Sequence, residues 1–217
     1  METKQPDEME YAFNEIKEMR FPVVNIRRTS NLAAAPVNIF GMAMGLFMLS
    51  CPMMRWCTYD SATLATAQIF GGLCEYIIGI YDWYQGKSVL SFSDFLFGFL
   101  HLVIYYSVGL AKYEITRSTV NFCTYLQGTF FVLFMVALLG LFLATLYKGL
   151  MYKINYALLI LASIFVIIWQ YRDVTWAEKT AGYIIFISSI TLWFTGLARL
   201  VNDVFQREII SVVNPQI

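Results

Sequence analysis

The chain has 217 residues, 59% of them hydrophobic and only 14% charged, with a mean hydropathy of +0.60. Soluble globular domains carry about 25% charged residues, so this composition implies a polytopic membrane protein. Fifteen basic and fifteen acidic residues leave no net field, and nothing basic is clustered, which excludes nucleic acid as an expected partner.

Residues 1–32 read as a cytosolic tail, polar and rich in Glu up to about Ser30, without the basic start and apolar core of a secretory signal. Within it Met9, Ala12, Phe13, Ile16 and Met19 follow helical spacing, which fits a short amphipathic helix before Pro22 or an ordinary solvated tail. A first span runs from about Pro36 to Met54, with Gly41 and Gly45 four residues apart as a close-packing face, and ends near Pro52 and Arg55.

The second span, Ser61 to Tyr84, carries the sequence's best clue to function. Between Asp60 and Asp82 its only charged residue is Glu75, and a helix of that length covers roughly 30 Å of hydrocarbon. Ala65, Gly72, Gly79 and Gly86 recur every seven residues, and i, i+3, i+7 spacing puts Glu75 on the Gly72–Gly79 side. Glu75 lies about 4 Å from the midpoint of the run, so its carboxyl is expected to face packed helices or a pore, protonated for much of its time. Two readings stay open: a protonated Glu hydrogen-bonded to a neighbouring helix, or a group acting in transport.

Further spans are expected at about Phe92 to Ala111, Val120 to Tyr147, Ile154 to Tyr171 and Thr180 to Val201. The result is an all-α membrane protein of six transmembrane helices over residues 33–204, closed by a cytosolic tail, 205–217. Arg172 to Lys179 is the longest expected connection. Ten Lys and Arg fall on one side and five on the other, which puts both termini in the cytosol, plausibly at the plasma membrane. Glycine-lined faces on the first two helices are expected to let protomers associate.

Cys51, Cys57, Cys74 and Cys123 lack paired CxxC spacing and His101 has no companion imidazole, so these residues read as core packing and no metal or cofactor is expected. Pairing of Cys51 with Cys57 stays open. No nucleophile elbow, phosphate-binding glycine loop or HExxH occurs, so an enzyme is not expected.

Short motifs in fixed order then show a family resemblance. Ala33-Ala34-Ala35-Pro36-Val37-Asn38-Ile39 stands where the acetate uptake transporter family (AceTr, YaaH-like) has N-P-A-P-L-G-L. Phe70-Gly71-Gly72-Leu73-Cys74-Glu75 resembles F/Y-G-G-x-x-Q, with Glu at the Gln position. Asp82 to Val89 resembles E-x-x-x-G-N-T-F, Phe97-Gly98-Phe99-Leu100-His101 resembles Y-G-x-F-W, and Asn202 to Arg207 resembles the closing N-E-x-x-G-R. The resemblance covers about Asn31 to Ser211. It implies a hexamer of six-helix protomers, each with its own pore, passing acetate and sometimes succinate or related carboxylates, with proton linkage left open. It further implies that Met42, Phe97 and Leu159 narrow the pore and that Pro36 breaks the start of the first helix, exposing backbone N–H groups to the anion. Two alternatives remain at this stage: a channel for a small neutral solute such as urea, an amide or ammonia, and a membrane sensor without conduction.

Overall fold

A computed structural model describes residues 34–104, 124–146, 149–205, 207, 209 and 210, with backbone alone at 34–36, 61, 124 and 125. The chain divides into Met1–Leu32 and Ala33–Ile217, and every described residue belongs to the second unit. The expected tail helix, Cys123 and the loop between the third and fourth spans lie outside the described residues.

Six helices make up the described chain. Helix α1 is Ala34–Met53 and α3 is Ser88–Ile104. Helix α4 is Thr124–Ala144, α5 is Leu150–Arg172 and α6 is Thr175–Phe205. Between α1 and α3, α2 runs in three consecutive segments: an α segment Ser61–Ala67, a π segment Gln68–Leu73 and an α segment Cys74–Tyr84.

Each boundary has a local cause. Pro36 stands in the first turn of α1, where a residue owes no helical hydrogen bond, so the described helix is not broken at this proline. Asp60 caps α2 by accepting from the Thr63 N–H at 2.7 Å. Gly86, expected to extend the glycine row, lies instead in the turn into α3 with φ of +71°. Asp173 adopts a left-handed conformation at φ 50°, which lets α6 start two residues later. The expected Arg172–Lys179 connection therefore shrinks to a tight turn, because Glu178 is buried within α6 and ion-paired to Arg55. Asn202 ends α6 by accepting from the Ile209 and Ile210 N–H groups at 2.8 and 2.9 Å, and the Arg207 N–H donates to its carbonyl. These two motif residues thus shape a helix end.

Helix α1 packs on α6, α6 on α5 and α5 on α4, while α2 pairs with α3 and meets α1 through its π segment; α3 closes the ring on α4. Inside sits an apolar core including Met42, Leu46, Phe97, Phe134, Leu138, Leu159 and Leu192. Outward, large apolar side chains such as Ile77, Leu133, Ile164 and Leu197 are exposed along the helices, the pattern of a surface solvated by lipid. Four helices, Ala62–Tyr84, Leu126–Ala144, Leu150–Arg172 and Thr175–Phe205, are long and apolar enough to cross a membrane; the apolar stretches Val37–Met53 and Ser88–Ile104 are shorter.

Candidate functional site

The antiparallel order of the helices gives the bundle two ends. At the end where α1, α3 and α5 finish, a cavity of about 640 Å³ enters between the helices. Its rim includes Tyr59, Gln127 and Asp173, and its depth follows successive turns: Met53, Leu49 and Leu46 on α1, Ile104, Leu100 and Phe97 on α3, Val166, Ala162 and Leu159 on α5. The floor is Leu46, Phe97 and Leu159, at 2, 0 and 4% exposure. Phe97 is held edge-to-face against Phe134 with ring centroids 5.8 Å apart.

The expected constriction is therefore largely brought together. Phe97 and Leu159 line the cavity; Met42 does not, lying one turn deeper in the same core, and Leu46 takes its place at the floor. At the rim, burial and then the Glu178 carboxylate push the Tyr59 phenol well above its ordinary pKa, with Arg55 opposing, so this group stays neutral.

One turn beyond Phe97, outside the cavity, the packing changes character. The Asn38 amide donates to Asp94 Oδ1 at 2.8 Å, the Ser93 and Tyr156 hydroxyls share a 2.8 Å hydrogen bond, and the Ser188 hydroxyl donates to Asn155. Glu75 is wholly buried in this half, and neither of its oxygens has a hydrogen-bond partner among the described residues. Asn38 Oδ1, Asp94 Oδ2, Gln68 Oε1, the Tyr76 hydroxyl and His101 Nε2 are likewise buried and unpartnered. A buried polar atom without a partner costs about 1–3 kcal/mol, so these groups weigh against stability rather than for it.

Glycines bring these groups together. A Cβ on Gly41 would lie 3.0 Å from the Phe70 carbonyl and 3.6 Å from Glu75 Oε1, and one on Gly79 would lie 3.2 Å from the Asp94 Cβ. His101, fully buried and bonded through Nδ1 to the Phe97 carbonyl at 2.8 Å, wedges between α1 and α2: a Cβ on Gly45 or Gly71 would come within 2.6 or 2.3 Å of its Nε2. Gly72 makes room for the Gln68 amide and Gly98 for the Tyr76 ring. The glycine faces expected to join protomers are thus filled from within the chain. The π segment presents Gly71 and Gly72 together on the buried side, and such turns recur at functional sites.

Sequence reasoning singled out Glu75, Phe97 and Leu159 but passed over Asn38, Leu46, Asp94 and Tyr156. Asp94 gave the same signal as Glu75, a carboxylate inside an apolar run, and Asn38, Glu75 and His101 occupy the positions where the quoted motifs have Gly, Gln and Trp. These three departures converge in one region of the fold. Cys51, Cys57 and Cys74 are free, and no group of three His, Cys, Asp or Glu among the described residues could hold a metal ion.

The profile described as the GPR1/FUN34/yaaH family matches residues 20–213. No curated protein sequence matches significantly. Among solved structures, the one titled "Structure of the bacterial acetate channel SatP" superposes with a TM-score of 0.75 at 18% identity, over 82% of this chain and 96% of that one. A likeness at that identity establishes a shared fold.

Proposed function

The chain belongs to the GPR1/FUN34/yaaH family and is a multi-pass membrane protein, and from that premise we propose that it is a channel or transporter for acetate and related short carboxylates, succinate among them. The observation that carries this reading is the apolar cavity that ends on Phe97. A solute with one charged end and one methyl end loses less there than a hydrated inorganic ion, because the methyl group is at home against Leu46, Phe97 and Leu159. Acetate is chosen because the superposed structure is named as an acetate channel. In this reading Phe97, Leu159 and Leu46 form the constriction, Met42 backs it from the next turn, and Glu75 faces the polar segment beyond. Protomers assemble as hexamers, as the family resemblance implies, and the exposed apolar face of α2, with Ile69, Leu73, Ile77 and Ile80, is free to meet a neighbour. In the same reading the membrane is the plasma membrane, and the distribution of Lys and Arg supports termini on its cytosolic side.

One observation favours a second reading. Two buried carboxylates, Glu75 and Asp94, stand beyond the floor, and if both were ionised they would repel anions and suit a neutral solute such as urea. Uptake of labelled acetate and labelled urea into proteoliposomes, each against protein-free vesicles, separates the two. Acetate entry above background is expected. Urea entry with acetate excluded would replace the first reading by the second, and entry of neither would refute both.

A further inference from the structure

We propose that Arg55, with the Tyr59 hydroxyl beside it, receives the carboxylate of the substrate at the mouth of the cavity; the proposal rests on the transport reading above. The cavity itself offers the charged end of a substrate little. Among the described residues that line it the one charged group is Asp173, an exposed carboxylate at the rim, and its polar neighbours Gln127, Gln170 and Tyr59 are neutral. Walls of this kind suit the methyl end of acetate and give its charged end nothing to leave water for.

Arg55 stands next to that rim. The Tyr59 phenol is part of the lining and feels the Arg55 and Glu178 charges together, which puts the ion pair within electrostatic reach of the mouth. The Glu178 side chain is 4% exposed and accepts from one guanidinium nitrogen, whereas the Arg55 side chain is 56% exposed. A guanidinium carries five N–H donors in a rigid fork, so a cation tied on one side to a buried carboxylate keeps an open side that matches a second one. The backbone agrees. Arg55 closes the last turn of α1 at φ 65°, its N–H donating to the Pro52 carbonyl and the Trp56 N–H to the Cys51 carbonyl, both at 3.0 Å. Glycine or asparagine takes such a left-handed position at lower cost, so it is the side chain that accounts for arginine here. Arg172 and Lys179, the other described cations of this end, are exposed and line no part of the cavity.

The test separates the charge of Arg55 from its ion pair. Initial rates of labelled-acetate uptake into proteoliposomes, above those of protein-free vesicles, are measured against concentration at alkaline pH, where little neutral acetic acid crosses the lipid, with melting temperature as the check on folding. Arg55→Gln is expected to raise KM about tenfold, the scale of one charge-assisted hydrogen bond at a half-exposed site, with the maximal rate within about twofold of wild type. The ratio of acetate to butyrate uptake stays unchanged, because both acids present the same head. Glu178→Gln breaks the same ion pair but keeps the cation, and its KM is expected to stay level or fall; a purely structural pair would make the two variants alike. Cys57, free and exposed two residues after Arg55, provides a version that leaves Arg55 in place. Membrane-impermeant methanethiosulfonate reagents attach to it either a sulfonate, expected to raise KM, or a trimethylammonium group, expected to lower it, with Cys57→Ser as the control. An unchanged KM in folded Arg55→Gln, an equal rise in Glu178→Gln, or shifts of one sign from both reagents would overturn the proposal and leave the transport reading standing. Wild-type vesicles that take up no acetate would remove the transport reading and the proposal with it.

Discussion

The two halves of this bundle on either side of Phe97 are built on opposite principles. Toward Tyr59 the helices diverge around about 640 Å³ of mostly apolar space, lined by side chains that need no partners. Toward Asp82 lie the unpartnered atoms of Glu75, Asp94 and Asn38, with Gly41 and Gly79 letting the helices pack closely around them. A bundle selected for stability alone would fill the first half and remove polar atoms from the second. The difference teaches that the halves have separate tasks: admission by size and apolar contact on one side, handling of charge on the other.

The sharpest way to break the comparison is to add volume to a tight glycine contact and to the open cavity. Gly71→Val puts a Cβ 2.3 Å from His101 Nε2, and overpacking of this kind costs about 1–3 kcal/mol or more. A lowered melting temperature in detergent is expected, with partial rescue by His101→Ala, since that substitution removes the ring the added side chain meets. Ser163→Leu, which points bulk into the cavity, is expected to cost less than about 1 kcal/mol and to slow uptake. Equal destabilisation by the two would show that the cavity wall is packed as closely as the glycine contact. In the polar half, Tyr156→Phe leaves the buried Ser93 hydroxyl without its partner, an expected loss of about 1–2 kcal/mol in thermal or denaturant unfolding.

Smaller effects sharpen the charge side. Glu75→Gln is expected to keep substantial acetate flux and to lose part of the decline at alkaline pH. The sign follows from charge: raising the pH converts the carboxyl to a carboxylate that repels the anion, and the amide has no proton to lose. An unaltered pH profile in a folded variant would mean that this carboxyl only packs polar surface. Smallest, Arg55→Gln removes the half-exposed partner of the buried Glu178 carboxylate and is expected to cost about 1 kcal/mol of stability, with little change in the ratio of acetate to butyrate uptake.

Much of the architecture was legible because lipid is a demanding solvent. Long apolar runs interrupted by short polar turns have few solutions in a bilayer, so the helices fall close to where composition places them. Details set by tertiary contacts were not legible. Nothing local distinguishes the π segment Gln68–Leu73 from an ordinary turn, since only the approach of α1 and α3 to Gly71 gives it a purpose. Leu46 and Met42 are both apolar and four residues apart, and the sequence does not say which turn of α1 meets Phe97. Asp94 was legible, being a carboxylate inside an apolar run as Glu75 is.

The central claim is that Phe97 is the boundary at which size is judged. It is tested most directly by uptake of acetate, propionate and butyrate into proteoliposomes holding wild-type protein or Phe97→Ala, with thermal melting as a check, since such a truncation costs about 3–5 kcal/mol in a packed core. Removing the ring is predicted to reduce the preference for acetate over butyrate by about tenfold, the scale on which an apolar site discriminates a methylene. A folded Phe97→Ala protein with the wild-type order and ratios of uptake would contradict the account, because the floor of the cavity would then not be where the solute is measured.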